Sequence, residues 1–303
     1  MTARLYRFVM LAFPPRIYVP LTLLWAVGLT WLLIAASAPG HAGPWDGGAG
    51  ITAATLFIDM LLVRALDDIR DLDYDRVHAP RRPLPSGMVS VSDLVVLVAA
   101  GTAALLLLNI GRGTALLVLA AQLGYAIGLV TVNTRLGWPA SDNRFLELAI
   151  NAPIQVLLSV YVYVAYLRAE HLRPGLTGLL ATSSVVLAMM HAEFARKTTR
   201  APASTQRTYI HHIGLAGTVS AAVGTAVLAV ALAATAVRPW AATSSAHSWG
   251  WMAFTPVAVP AAAGWNFWRQ RLPQWSALGA VSFPICACAV FLAIGLFSRG
   301  ASH

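Results

Sequence analysis

The feature that most constrains this chain is where its apolar runs stop. Runs long enough to cross a bilayer follow one another along its whole length, and a spanning helix needs about 20 such residues. One of them closes on five aspartates within nine positions: Asp67, Asp68, Asp71, Asp73 and Asp75. Apolar and aromatic residues make up 58% of the 303 and charged residues 11%, whereas a soluble domain is roughly a quarter charged. The mean hydropathy of +0.67 agrees. This balance excludes a disordered chain, a collagen-like chain and a disulfide scaffold. It describes an all-α, polytopic membrane protein.

Nine candidate helices run near 17–37, 49–69, 91–109, 114–133, 145–166, 176–194, 211–236, 249–267 and 276–297. Proline, glycine or charge separates them, at Pro39-Gly40, Pro83 to Gly87, Gly111 to Gly113, Gly137 to Pro139, Pro174-Gly175 and Pro273. The net charge of +9 comes from 21 cations spread over short loops, so it encodes topology and not a nucleic-acid surface. With the N-terminus inside, the inner segments hold fifteen cations and the outer ones five, and Arg64 lies within a span. This bias puts the N-terminus in the cytoplasm and the C-terminus outside, as the odd number of helices also requires. Arg4 and Arg7 before an apolar stretch, with Ala36-Ser37-Ala38 after it, have a signal-peptide look, but the stretch is long for one and is read as a retained span. Cys286 and Cys288, at i, i+2, point to nearly opposite sides of a helix and make neither a bridge nor a metal pair. Trp265, Trp268 and Trp275 suit the headgroup level at the inner end of the last two helices.

At 100° per residue, Asp67, Asp71 and Asp75 stack on one face with Asp68 beside them. Arg64 precedes Asp68 by four positions on the same side. Asp73 points roughly the other way, toward Arg70 and Arg76. Like charges at i, i+4 destabilise a helix, and an Asp at the bilayer centre costs roughly 2.5–3.5 kcal/mol. Cations must compensate. One reading supplies Arg64, Arg70, Arg76, Arg81 and Arg82 as counter-ions to a charged helix end. The other supplies Mg²⁺, which takes one or two carboxylates plus substrate phosphates; the rise of about 10 Å from Asp68 to Asp75 gives room for two ions. Arg81-Arg82-Pro83-Leu84-Pro85-Ser86-Gly87 follows, a loop stiffened by two prolines that holds guanidiniums suited to bidentate phosphate recognition.

A second charged end closes the helix near 176–194. Glu193, Arg196, Lys197 and Arg200 fall at i, i+3, i+4, i+7, and Lys197 is the only lysine in the chain. Either this is a positive-inside anchor with an internal salt bridge, which suits Arg200 and Arg207 best, or Lys197 serves a site that wants a compact ammonium. Asp71 and Glu193 lie 122 positions apart, each closing an even-numbered helix. That spacing points to a duplication whose two polar ends meet at one cavity. The helix near 145–166 carries Glu147, Asn151 and Gln155 at i, i+4, i+8, a stripe suited to a bundle interior. Asp59 is either a cavity residue or a partner for Arg64.

The acidic run resembles the first signature of the UbiA superfamily of intramembrane prenyltransferases. That signature is Asn-Asp-x-x-Asp-x-x-x-Asp, followed by Arg-Pro-x-x-x-Gly. Here Asp67-Asp68-Ile-Arg-Asp71-Leu-Asp-Tyr-Asp75 matches, with Asp67 in place of Asn, and Arg82-Pro83-Leu-Pro-Ser-Gly87 follows. The resemblance covers essentially all of 1–303 as one domain. The second signature is aspartate-rich in the family; here Glu193 stands near the first acid and Lys197 four residues later. Tyr125 followed by Arg135 resembles the tyrosine and basic residue of the family's helix 4–5 loop. The resemblance implies an Mg²⁺-dependent enzyme of an inner (plasma) membrane with its active site toward the cytoplasm, moving an isoprenyl group from an isoprenyl diphosphate to a lipophilic acceptor, an aromatic one included. Asp67, Asp68, Asp71, Asp75 and Glu193 would hold metal and act in catalysis with Lys197. Arg64, Arg82, Arg135, Arg196, Asn151 and Tyr125 would bind substrate. In the family two Mg²⁺ ions bridge both motifs, so here Lys197, with Arg196, stands to neutralise diphosphate directly while Glu193 keeps a metal contact or orients Lys197. Phe145, Tyr161, Tyr163 and Phe194 join Tyr125 as candidate aromatic faces for an allylic cation. A terpene cyclase on the same bundle is the alternative enzyme. A lipid-binding protein or transporter is the non-enzymatic one, although its polar groups would be expected nearer the midplane.

Overall fold

The computed structural model describes residues 1–37, 47–138, 143–202, 207–241 and 248–300. The breaks expected at Pro39-Gly40 and Pro139, and Ala38 of the cleavage-like triplet, lie outside these residues. The helices are α1 (Thr2–Ala12), α2 (Pro15–Ser37), α3 (Gly47–Arg70), α4 (Leu72–His78), α5 (Val91–Leu108), α6 (Thr114–Leu136), α7 (Arg144–Ala169), α8 (Leu176–Arg196), α9 (Ile210–Val237), α10 (Ala258–Arg269) and α11 (Ala277–Gly300). Among the described residues there is no strand, only an isolated bridge between Thr199 and Gln274. Among the described residues eight helices, α2, α3, α5 to α9 and α11, are long and apolar enough to cross a membrane. The polytopic all-α architecture is therefore as the sequence indicates.

The ninth expected helix, near 249–267, is not continuous. It is a 3₁₀ stretch, Trp249–Val257, followed by α10. Pro256 and Pro260 lack amide donors, so the i to i−4 ladder cannot run through them. The nine and twelve residues of the two pieces still give a contour of roughly 36 Å at about 2.0 and 1.5 Å per residue.

The chain forms two compact units, Met1–Leu23 with Asp46–Ser141, and Leu24–Trp45 with Asp142–His303, divided within α2. In the first, α3 packs against α5 and α6. Gly101 of α5 lies so close over Leu62 that a methyl group there would overlap it. The face of α3 carrying Thr52, Thr55 and Asp59 is tied by side-chain hydrogen bonds. Arg112 donates to Thr52 (2.7 Å), Asn109 to Thr55 (2.9 Å) and Gln122 Nε2 to Asp59 (3.0 Å). Bonds of this kind average about 0.6 kcal/mol each inside a bilayer. Asp59, expected as a cavity residue or a partner of Arg64, is buried against Gln122 instead.

In the second unit, α8 and α9 make the most extensive helix pair. The reason is composition: Ala181, Ala188 and Ala195 of α8 and Ala222, Ala226, Ala229 and Ala233 of α9 are fully buried, and small residues let helix backbones approach closely. His191 Nδ1 sits 2.8 Å from the Ala222 carbonyl. A carbonyl only accepts, so Nδ1 carries the proton. The later half of α2 meets α11 through glycine. A methyl on Gly28 would strike the Cys288 backbone, and one on Gly295 would strike Trp31. Both cysteines are free thiols, as their spacing indicates. Near its start α9 breaks at Gly214, whose φ of 69° suits only glycine among ordinary residues.

Candidate functional site

The acidic run occupies the end of α3, the junction at Asp71 and α4. Asp71 departs from helical geometry (φ −91°, ψ 10°) and ends α3 there. The ladder nevertheless continues across it, Asp71 N to Asp67 O at 2.9 Å and Asp75 N to Asp71 O at 2.8 Å. The carboxylates are not equivalent. Asp68 and Asp75 are buried, Asp67 and Asp71 half-buried, and Asp73 is open to solvent.

Each buried acid has its own arginine. Arg64 donates to Asp68 Oδ1 at 2.6 Å, the i, i+4 pair that the spacing indicates. Arg82 donates to Asp75 Oδ2 at 2.6 Å, so the Arg-Pro loop does deliver a guanidinium to the acids. The loop can do so because it folds back on itself. Ser86 N bonds the Arg82 carbonyl and Val89 N the Pro83 carbonyl, and Gly87 turns at φ 75°. Asp73 points away and pairs with Arg76 at 2.8 Å, as expected. Arg70 differs from expectation. It reaches Asp67 (3.0 Å) and Asp71 (3.5 Å), not Asp73, because the i+3 position of Arg70 lies beyond the break at Asp71.

Two polar atoms at this end are left over. Asp68 Oδ2 and Arg64 Nε are both buried with no hydrogen-bond partner, and buried polar groups are normally satisfied. One is an acceptor open to a cation, the other a donor open to an anion. Asp68 also lies in the field of Arg82, Asp75 and Asp67. No three acid, histidine or cysteine side chains converge as a metal cage among the described residues. Magnesium typically uses one or two carboxylates and completes its shell with water and phosphate, so the unsatisfied Asp68 oxygen fits such an ion.

The second unit has a different cluster at the end of α8. Glu193 pairs with Lys197 through Oε1 and with Arg196 through Oε2 (2.7 Å). The Tyr209 hydroxyl donates to Oε1 at 3.3 Å. Thr208, beside Tyr209, donates to the Lys197 carbonyl at 2.7 Å. Lys197 Nζ lies 5.6 Å from the Tyr209 ring centroid. Burial, and then the negative charge of Glu193, push the Tyr209 phenol well above its usual range, so it remains a donor. The Phe145 and Phe194 rings pack at 5.5 and 4.8 Å from that of Tyr209.

Arg144 is buried at the start of α7 and pairs with Glu147. Of the expected stripe on α7, Asn151 bonds the Glu147 carbonyl of its own helix (2.8 Å) and Gln155 is exposed. Arg200 is a structural residue. It donates to the carbonyls of Phe267, Trp268 and Leu272. Tyr125 and Arg135 lie on α6, both exposed. Tyr161 and Tyr163 are buried, and Tyr163 is engaged with the backbone of Gly175. Two members of these clusters, Tyr209 and Arg144, are not singled out by the sequence motifs. Tyr209 lies 16 positions beyond Glu193 with no periodic relation to it. Arg144 carried a usable signal, an acid three residues later on the same helix face.

No family model and no curated protein matches this chain. Among solved structures, the apo structure of a UbiA homolog from Aeropyrum pernix K1 is similar, with a TM-score of 0.61 at 16% identity, over 90% of this chain and 96% of that one. At this identity the likeness speaks for architecture, and it does so over nearly the full length of both chains. The protein has the UbiA fold.

Proposed function

We propose that the protein is an Mg²⁺-dependent intramembrane prenyltransferase, taking an isoprenyl group from an isoprenyl diphosphate to a lipophilic acceptor. The observation that carries this reading is the pair of unsatisfied buried atoms at the end of α3, Asp68 Oδ2 and Arg64 Nε. They ask for a cation and an anion together, which is what a metal-bound diphosphate offers. The fold and the match of the Asp67 to Gly87 run to the UbiA signature add to it.

In this reading Asp67, Asp68, Asp71 and Asp75 are the residues that would hold magnesium. Such an ion would supply charge stabilisation for the leaving diphosphate. Arg64 and Arg82 hold the Asp68 and Asp75 carboxylates in place and present their remaining N–H groups to phosphate oxygens. The allylic C–O bond breaks with its electron pair leaving on diphosphate, and the acceptor's nucleophilic atom bonds the allylic carbon and loses a proton to water. The long apolar spans offer the isoprenyl tail a surface as dry as the lipid. Tyr125, Arg135 and Asn151 are assigned to substrate binding. The site lies on the cytoplasmic side of a plasma membrane, in keeping with the fifteen-to-five bias of cations.

The test is product formation. Membranes containing the protein are incubated with labelled ten-, fifteen- and twenty-carbon isoprenyl diphosphates and extracted lipid acceptors, with Mg²⁺ or with EDTA. The expected outcome is a labelled prenylated lipid and free pyrophosphate in Mg²⁺ alone. A cyclic hydrocarbon or alcohol formed without acceptor would replace the transferase by a cyclase. Donor left intact under every condition would overturn the enzyme reading.

A further inference from the structure

The UbiA resemblance implies metal ions bridging two motifs, and the second motif does not fit a metal contact. A carboxylate that ligates magnesium must turn an oxygen to it, and both oxygens of Glu193 already face cationic or hydroxyl donors. Oε1 faces the Lys197 ammonium and the Tyr209 hydroxyl, and Oε2 faces Arg196. The end of α8 is also electropositive. Glu193 stands alone against Arg196 and Lys197, and Arg207 follows next to Thr208. The Arg144–Glu147 pair on α7 cancels itself.

We infer that the end of α8 is a metal-free anion site for a diphosphate group, in which the Lys197 ammonium supplies the charge that a divalent cation would otherwise bring. This rests on the prenyltransferase reading for the identity of the anion, though not for the site itself.

Three features build the site. Glu193 precedes Lys197 by four residues, the favourable order for an i, i+4 pair, and holds the ammonium by one of its three donors. The Tyr209 ring lies beneath the ammonium at 5.6 Å and its hydroxyl secures Glu193 from the other side. Thr208 donates to the carbonyl of Lys197, the residue that caps α8. The ammonium is thus held by Glu193 and flanked by the Tyr209 ring, on a backbone that Thr208 bonds. Lys197 is a quarter exposed and Arg196 more than half, so both can meet an anion from solvent. Glu193 and Tyr209 are positioning residues here, and Lys197 is the contact. A plain positive-inside anchor needs neither the phenol nor the Thr208 bond, because charge near the interface suffices for orientation.

The test uses the full-length protein in detergent with EDTA present, and inorganic pyrophosphate as the probe. Pyrophosphate binding without metal is expected. It weakens at least tenfold in Lys197→Met, is retained in Lys197→Arg, and is unchanged in Asp73→Asn. The Lys197→Arg protein also controls for folding, since it keeps the charge pair with Glu193. Equal affinity in the wild type and Lys197→Met, or no binding until Mg²⁺ is added, would overturn the inference. The two readings fail separately. Absence of any prenylated product, with Lys197-dependent pyrophosphate binding intact, would remove the transferase and leave this anion site in place.

Discussion

The ends of α3 and α8 each bring acids and bases together, but they balance them differently. At α3, five aspartates face Arg64, Arg70, Arg76 and Arg82, and a buried carboxylate oxygen of Asp68 is left without a partner. At α8, one glutamate is held by Lys197, Arg196 and Tyr209. The first end has as many arginines as aspartates once Arg81 is counted, yet leaves an acid oxygen unpartnered, whereas the second sets two cations against one acid. The lesson is that a charged helix end is read from its unsatisfied atoms and not from its count of charges. A buried acceptor without a partner, set beside an equally unpartnered donor, fits a metal-bound anion better than an acid already ringed by donors does.

The comparison can be broken most forcefully at Asp68. Asp68→Asn removes the charge beside Arg64 and should lower product formation by about 10²–10³, the scale of losing one electrostatic stabiliser in an active site; turnover near wild type in the same membrane assay would refute the role. Arg82→Ala comes next. It strips the partner from buried Asp75, and a supporting residue of this kind is worth roughly 10–100-fold in activity or metal affinity, which Mg²⁺ titration of the rate would register. At the other end, Tyr209→Phe takes one donor from Glu193, and its stability cost should be about 0.5–1.5 kcal/mol in a denaturant or thermal melt. The sign of the Tyr209 shift adds a pH expectation. Because burial raises its phenol, the native protein keeps the donor at neutral and mildly alkaline pH, and Tyr209→Phe should not alter the phenolate absorbance there. The smallest effect belongs to Asp73→Asn. Asp73 is exposed and paired only with Arg76, so activity should not change and stability should move by less than about 0.5 kcal/mol.

What the sequence made legible was local. The spans, the Arg64–Asp68 and Glu193–Lys197 pairs, and Asp73 facing Arg76 follow from helical period, since each pair is three or four residues apart. Arg82 beside the acids followed from a short loop that prolines stiffen. The failures have physical causes too. Arg70 turned to Asp67 and Asp71 because the helix breaks at Asp71, and a wheel drawn through position 71 cannot show that. Asp59 found Gln122, 63 positions away, through packing of α3 on α6 that no periodicity records. Tyr209 meets Glu193 across 16 positions, a contact that no helical period records, and Thr208 bonds the Lys197 carbonyl beside it. The segment 249–267 has the apolarity of one helix but carries Pro256 and Pro260 in its interior. Hydropathy outvoted two missing amide donors, wrongly.

The most direct test of the contrast is a count of bound ions. Equilibrium dialysis of the full-length protein against Mn²⁺, with inorganic pyrophosphate present, is carried out for the wild type, Asp68→Asn and Glu193→Gln. The number of Mn²⁺ per chain should fall in Asp68→Asn and stay at the wild-type value in Glu193→Gln. An ion lost from Glu193→Gln, with Asp68→Asn binding as the wild type does, would contradict the account.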